Sequence, residues 1–110
     1  MKNKADSGYL FKGRKFLTKG IENEIPIQLQ VFMWNLIDKL KIKRDYLQVF
    51  DIAPIDSSFM LITHKQEAPK YKSTYKIEQN LDVNFKIDTK ITVFVIDDID
   101  YVTMLLSNEY

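Results

Sequence analysis

Alternating apolar and polar positions predict β-strands through most of the second half of the chain. The segments STYKIEQ (residues 73–79) and NLDVNFKIDT (80–89) both alternate, as a strand with one buried face should. The segment KITVFVIDD (90–98) is apolar on both faces, which predicts a central strand. After the turn DDID, the segment YVTMLL (101–106) is predicted to return beside it.

Two further β-rich segments lie earlier in the chain and are joined by a turn. They are DYLQVFDIA (45–53), which stops at Pro54, and SSFMLITHK (57–65). The intervening PIDS has the residues of a tight turn, so the two segments are predicted to form an antiparallel hairpin. A first short strand is predicted near residues 14–18.

One long helix is predicted between the first strand and this hairpin, at about residues 26–41. Pro26 fits the first helical position, where its missing N–H costs nothing. Glu22 and Glu24 precede it and complement the positive helix end. Basic residues crowd the other end, which suits the negative pole: Lys39, Lys41, Lys43 and Arg44.

This order of elements predicts an α+β fold. We expect one antiparallel sheet of about five or six strands with the main helix packed on one face. The alternative is a small, partly rolled barrel that the helix plugs. Residues 1–8 are polar and are predicted to form a flexible arm, followed by a single domain at residues 9–110.

The predicted helix carries apolar side chains on two opposite sides. At about 100° per residue, six of them gather in one broad stripe that should face the sheet. These six are Leu29, Phe32, Met33, Leu36, Ile37 and Leu40. Ile27, Val31 and Trp34 fall on the other side.

Two interpretations of the Ile27, Val31 and Trp34 group remain open. Left in water, it would form an apolar patch of the kind that marks an interface, and tryptophan is enriched at binding hot spots. It would then anchor a protein partner, most simply a second copy in a homodimer. Alternatively, the chain covers the group itself, with residues 9–11 (Tyr9, Leu10 and Phe11) or with the tail that ends at Tyr110.

Composition narrows the class of protein. The 110 residues are 45% hydrophobic and 28% charged, which fits one globular domain with its own core. No apolar run approaches the roughly 20 residues of a membrane span, and the N-terminus lacks the apolar stretch of a secretory signal. Cysteine is absent, which excludes disulfides and thiolate sites. A cytoplasmic location is therefore expected.

Charge is balanced overall but unevenly distributed. The net charge of +1 indicates that the protein as a whole is not a polyanion binder, and it argues against an acidic DNA mimic. Residues 1–19 are strongly basic, whereas residues 97–110 are acidic and contain no base. The simplest interpretation is that the two ends attract each other across the fold.

The segment PKYKSTYK has the composition of a single-strand nucleic-acid-binding face. Lysines contact phosphates and tyrosines stack on bases, so the candidate residues are Lys70, Tyr71, Lys72, Tyr75 and Lys76. On a strand, however, the two tyrosines lie on one side and the three lysines on the other. A half-exposed strand whose lysines protect a sheet edge explains the segment equally well.

Candidates for enzyme chemistry are few. Asp97, Asp98 and Asp100 have oxygen ligands for Mg²⁺ or Ca²⁺, which would suit a metal-dependent hydrolase or nuclease, although a solvated hairpin turn explains them better. His64, with Glu67 nearby, has the chemistry of a general acid or base, but a surface or strand-end histidine needs no such role. No phosphate loop or nucleophile elbow is present. We therefore expect no catalytic residue, metal or cofactor.

Four ordered blocks of the sequence resemble a known family. They are FLTKGIENEIPIQLQVFMWNLID, DYLQVFDI, HKQEAPKY and VFVIDDIDYVTMLL with the terminal EY, within residues 15–110. Together they resemble a family of small uncharacterised Firmicutes proteins, domain of unknown function nine-sixty. That family is associated with staphylococcal cassette chromosome elements and has no established activity. The resemblance implies a cytoplasmic accessory protein of a mobile genetic element, with protein or DNA partners.

These observations favour a non-enzymatic binding module that acts through protein–protein contacts. Ile27, Val31 and Trp34 are its predicted anchor. Single-stranded nucleic-acid binding is the alternative, and a metal-dependent hydrolase or nuclease is the third hypothesis. No membrane contact is expected.

Overall fold

The computed structural model describes residues 8–79 and 87–110. Within them, six strands and two α-helices follow one another along the chain. They are β1 (Arg14–Leu17), α1 (Lys19–Glu24), α2 (Ile27–Asp38), β2 (Leu47–Pro54), β3 (Phe59–Gln66), β4 (Tyr71–Glu78), β5 (Ile91–Asp97) and β6 (Tyr101–Leu106). A 3₁₀ turn, Ser107–Glu109, ends the described chain.

All six strands form one sheet, in the order β1-β6-β5-β2-β3-β4. The predicted hairpin of β2 with β3 is confirmed, as is the antiparallel pairing of β5 with β6. The α+β class is confirmed, and β5 lies in the interior of the sheet as predicted. The sheet has two edges, β1 and β4, so it is open and not the alternative barrel.

The prediction of a purely antiparallel sheet is wrong, because β1 runs parallel to β6. Their register places Arg14 beside Tyr101 and Leu17 beside Met104. Tight turns impose antiparallel pairing, but two helices separate β1 from the next strand. The first strand is therefore free to join the last one in either direction.

Helix α1 is absent from the sequence-based prediction. Thr18 caps it, because the Thr18 hydroxyl accepts a hydrogen bond from the backbone N–H of Ile21. Ile21 and Ile25, four residues apart, are both buried in the core. Gly20 within this short segment weakens the helical signal of the sequence.

Helix α2 is shorter than the predicted range of 26–41. Pro26 occupies the N-cap and not the first helical position, and the helix ends at Asp38. Beyond it, the N–H of Leu40 donates to the carbonyl of Ile37, which tightens the last turn. Arg44 then binds the Ile37 and Asp38 carbonyls through its guanidinium, at 2.9 and 3.0 Å. These bonds satisfy the helix end, so the predicted last turn does not form.

Both helices pack on the same face of the sheet, here called the helix face. In β2, Phe50 and Ile52 point to this face and are buried, whereas the alternate residues Leu47 and Val49 are only half-buried. The core also contains buried residues from both helices and the neighbouring strands: Ile21, Leu29, Met33, Ile37, Ile62, Val93, Val95, Val102 and Met104. The opposite side of the sheet is called the open face.

Two predictions fall partly outside the described residues. Residues 80–86 of the predicted strand 80–89 lie outside them, and the remaining residues 87–89 are not in a strand. Residues 1–7 of the predicted flexible arm also lie outside, but Gly8 forms a β-bridge with Arg44. In the described ranges, no helix is both long enough and apolar enough to cross a membrane.

Candidate functional site

The outer side of α2 carries the predicted anchor residues. Ile27 is 65% exposed and Val31 is 49% exposed, one helical turn apart. Trp34 is half-buried and packs against the core. The anchor is therefore an exposed aliphatic pair beside an indole that is partly sheltered by its own fold.

The segments proposed as internal cover contact other parts of the molecule. Phe11 is buried in the core, and the Tyr9 ring lies 6.0 Å from the ring of Tyr46. Tyr110 contacts Phe94, on the open face. What shelters Trp34 in part is Lys15, whose Nζ lies 5.5 Å from the centre of the indole ring. These segments leave Ile27 and Val31 exposed.

The opposite side of α2 faces the sheet as predicted. Leu29, Met33 and Ile37 are buried, and Phe32 and Leu36 pack against the core while partly exposed. The Phe32 ring meets the ring of Tyr75 edge-on at 5.8 Å. Leu40, the last residue of the predicted stripe, lies beyond the helix end and is half-buried.

Strand β4 divides the predicted lysine–tyrosine group between the two faces of the sheet. On the helix face, Tyr75 contacts Phe32 and Tyr71 meets His64 edge-on at 5.4 Å. On the open face, Lys76 Nζ lies 4.5 Å above the ring of Phe59. Lys72 shares the face of Lys76, and Lys70 is exposed in the turn before the strand. The two tyrosines therefore do not form one surface with these lysines.

Aromatic rings from other strands do share the open face with cations. Phe16 of β1 and Tyr101 of β6 meet edge-on at 5.8 Å, and the Arg14 guanidinium lies 5.6 Å from the Phe16 ring centre. This group is not predictable from the sequence alone, because it depends on β1 lying beside β6. The alternation in YVTMLL shows that Tyr101 shares a face with Thr103 but not which strand lies alongside.

A depression of about 560 Å³ lies on the same face, farther along the sheet. Leu47, Val49 and Phe94 provide its apolar part. Lys65, Lys70 and Lys72 also line it, and so do the acids Asp45 and Glu67, so cations exceed acids by one. Apolar surface beside a small excess of cations suits a ligand that is flat, apolar and anionic in different parts.

The only histidine is in the core, which corrects the expectation of a surface or strand-end position. His64 is fully buried and stacks on Phe50 with ring centres 4.4 Å apart. Its Nε2 lies 2.7 Å from Gln48 Oε1, and Gln48 Nε2 in turn donates to Gln66 Oε1 over 2.7 Å. Burial lowers the pKa of His64 from 6.5 to about 4. Glu67, its predicted neighbour in acid–base chemistry, is exposed.

The acidic turn after β5 uses its first carboxylate for internal bonds. Asp97 is buried, and its Oδ2 accepts the N–H of Phe11 at 2.9 Å while its Oδ1 accepts the N–H of Ile99 at 2.7 Å. Asp98 and Asp100 are exposed. Across residues 8–79 and 87–110, no three His, Cys, Asp or Glu side chains come together as a metal-binding group.

Comparison with known proteins identifies the family without assigning an activity. No curated protein matches the sequence. A solved structure of a protein of unknown function from Enterococcus faecalis has the same fold, with a TM-score of 0.71, 21% identity, and coverage of 100% of this chain and 98% of that one. Residues 14–109 match the family described as "Staphylococcal protein of unknown function (DUF960)". The chain belongs to this family, as the resemblance of its four sequence blocks predicts.

Proposed function

We propose that the protein is a non-enzymatic accessory module that binds another protein molecule through the outer side of α2. The observation that carries the proposal is the exposure of Ile27 (65%) and Val31 (49%) on one side of the helix. Two large aliphatic side chains one turn apart, beside an indole, form the kind of apolar patch that protein partners cover.

The simplest occupant is a second copy of the chain. Two-fold dimers are the commonest oligomers, and in such a dimer each α2 would cover the other. Ile27 and Val31 of one copy would then lose water contact against the same pair of the other. The remaining exposed edge of Trp34 would be buried with them.

The two side chains best suited to catalysis, His64 and Asp97, contact other groups inside the protein, and this supports a non-enzymatic role. His64 is buried among Phe50, Tyr71 and Gln48, and Asp97 is bound to the backbone of Phe11 and Ile99. The implied setting, a mobile genetic element, fits an accessory protein that works by contact with other proteins.

Light scattering with a charge-matched pair of variants tests the proposal. The variant Ile27→Lys/Val31→Lys places cations in the patch, and Ser58→Lys/Asn108→Lys adds the same charge at exposed positions outside α2. We expect the wild type and the control to have twice the 13.0 kDa chain mass, and the patch variant to be monomeric.

A monomeric wild type would exclude the dimer, and the partner would then have to be a protein other than a second copy of the chain. The three proteins would then be used as bait in extract of the native host, with captured proteins quantified by mass spectrometry. The proposal requires a protein that the wild type and the control capture and the patch variant does not. Identical capture by all three overturns it.

A further inference from the structure

We infer that the open face of the sheet is a binding site for single-stranded nucleic acid. This surface lies on the other side of the sheet from α2, so the inference is independent of the proposed protein contact. It rests on exposed aromatic rings, an excess of cations, and a depression lined by both.

Aromatic rings are available for stacking at two places on the open face. Phe16 is 44% exposed and Tyr101 is 47% exposed where β1 and β6 meet. Farther along, Tyr110 is 81% exposed and its ring lies 5.8 Å from that of Phe94. Stacking on such rings is tolerant of sequence because every base has a π-face. In a duplex those base faces are already stacked on one another, so exposed rings favour a single strand.

Cations exceed acids among the strand residues of this face. Arg14, Lys65, Lys72 and Lys76 are the cations, and Asp51 and Glu78 are the acids. Asp51 is bound to Lys65, with 2.8 Å between its Oδ2 and the lysine Nζ. The face therefore has two net positive charges, one from Arg14 on β1 and one from the β2–β4 side, which complements a phosphate backbone.

The register of β3 and β4 places two of these lysines directly opposite each other. Lys65 pairs with Lys72, and like charges in directly opposed positions destabilise a sheet. Asp51 offsets part of this repulsion at Lys65. A phosphate group between the two ammonium groups would offset the rest, so the pair is better suited to a bound anion than to water.

The depression of about 560 Å³ brings both kinds of contact together. Leu47, Val49 and Phe94 give an apolar surface for a base, and the three lysines Lys65, Lys70 and Lys72, which outnumber the acids Asp45 and Glu67, are available to its phosphates. The face from β1 to β4 spans five strand spacings, or roughly 24 Å at about 4.8 Å each. That width accommodates several nucleotides, within the ~4–16 that single-strand-binding domains cover.

Fluorescence anisotropy with labelled oligonucleotides of about 15 nucleotides tests the inference. Oligo-dT and oligo-U would be titrated in parallel, to distinguish DNA from RNA, at low and at moderate salt. We expect binding of at least one of them that weakens as salt rises. The same sequence in duplex form should bind more weakly, because its bases are not available to the rings.

Two pairs of variants separate stacking from charge. Lys72→Gln/Lys76→Gln should flatten the slope of log affinity against log salt by about 1.4, the value for two lost phosphate contacts on a single strand. Its control, Lys39→Gln/Lys41→Gln, removes the same charge from exposed positions at the end of α2 and should leave the slope unchanged. Phe16→Leu/Tyr101→Leu keeps apolar side chains but removes the rings, and should weaken binding at least ~5-fold.

Three outcomes would overturn the inference. They are no salt-dependent binding of either oligonucleotide, equal loss in the two lysine variants, or unchanged affinity in the ring variant. A change of solution mass in Phe16→Leu/Tyr101→Leu would instead show that the open face contacts a protein. The Ile27→Lys/Val31→Lys variant should bind the oligonucleotides at least as well as the wild type, so failure of the α2 proposal and failure of this one are distinguishable.

Discussion

The Nε2 atom of His64 lies 2.7 Å from Gln48 Oε1, at one end of a series of hydrogen-bonded side chains in the core. Gln48 Nε2 donates to Gln66 Oε1 and to the Asp45 carbonyl, so its oxygen must face the histidine. His64 Nε2 therefore carries the proton. Among the described residues, Nδ1 has no hydrogen-bond partner. Protonation would place a charge in a site with no acceptor for it.

The free energy of unfolding should consequently decrease as the pH is lowered from neutral to mildly acid. The unfolded chain binds a proton at His64 near pH 6.5, whereas the folded chain resists protonation until about pH 4. The stabilisation is therefore complete above pH 6.5 and is lost as pH falls towards 4. Each pH unit between the two pKa values of His64 changes the free energy of unfolding by about 1.4 kcal/mol. The free energies of unfolding measured in urea at pH 7 and at pH 5 should therefore differ by about 2 kcal/mol.

A His64→Gln variant provides the control for this prediction. It removes the titrating ring, so its free energy of unfolding should change less over the same interval, whatever its stability at pH 7. An equal pH dependence in both proteins would show that other groups are responsible.

Glu109 should stabilise the attachment of the 3₁₀ turn to the start of α1. Its Oε1 accepts the Thr18 hydroxyl at 2.6 Å and the Leu106 N–H at 2.8 Å, and its Oε2 accepts the Gly20 N–H at 3.1 Å. The hydrogen bonds from Thr18, Leu106 and Gly20 lower the pKa of Glu109 despite a small opposing effect of burial. A lowered pKa means that this stabilisation is present above the unfolded pKa of about 4.5 and is lost as pH falls below it.

Glu109→Gln should therefore lower the melting temperature at pH 7, because an amide has one accepting oxygen where the carboxylate has two. Glu22→Gln removes the same charge from an exposed pair with Lys19 at 3.8 Å and should have little effect. Differential scanning calorimetry would compare them. Equal melting temperatures for the two variants would show that the Glu109 bonds contribute nothing.

The two sides of α2 should respond differently to truncation. Met33 is fully buried, so Met33→Ala leaves a cavity and should lower the free energy of unfolding by ~2–5 kcal/mol. Val31 is exposed, so Val31→Ala should change it by less than ~0.5 kcal/mol in the monomer. Urea denaturation at low protein concentration measures both. A large loss in Val31→Ala would mean that the chain itself covers this side.

Trp34, the single tryptophan, should report which surface a ligand occupies. It lies on the helix side beneath Lys15, whereas the open face is on the other side of the sheet. Protein contact at α2 should therefore shift its emission to shorter wavelength, because water leaves the exposed edge of the indole. Saturating oligonucleotide should leave that emission unchanged. A shift of equal size with both ligands would contradict the assignment of two separate surfaces.

Local patterns sufficed to predict the six strands β1 to β6 and the two sides of α2. Apolar spacing in residues 29–37 identifies the buried side, because a regular helix fixes which side chains share a direction. The same rule correctly separates Tyr71 and Tyr75 from Lys72 and Lys76 on β4. These features depend only on neighbours within one element.

The features that the sequence does not predict depend on which helices and strands contact one another. His64 shares a face of β3 with Ile62, but it is a core residue only because Phe50 and Gln48 of β2 and Tyr71 of β4 surround it. The Phe16–Tyr101 pair exists because the first and last strands of the described chain, β1 and β6, lie side by side in parallel. Helix α1 escaped prediction because burial of Ile21 and Ile25 outweighs the unfavourable Gly20.

The pairing of the first strand with the last has a consequence for biosynthesis. Residues 14–17 leave the ribosome long before residues 101–106 exist to receive them. The nascent chain must therefore carry an unpaired β1 until β6 has been synthesised, and its sheet is completed only after residues 101–106 have emerged. Such distant pairing slows folding and exposes the growing chain to misassembly.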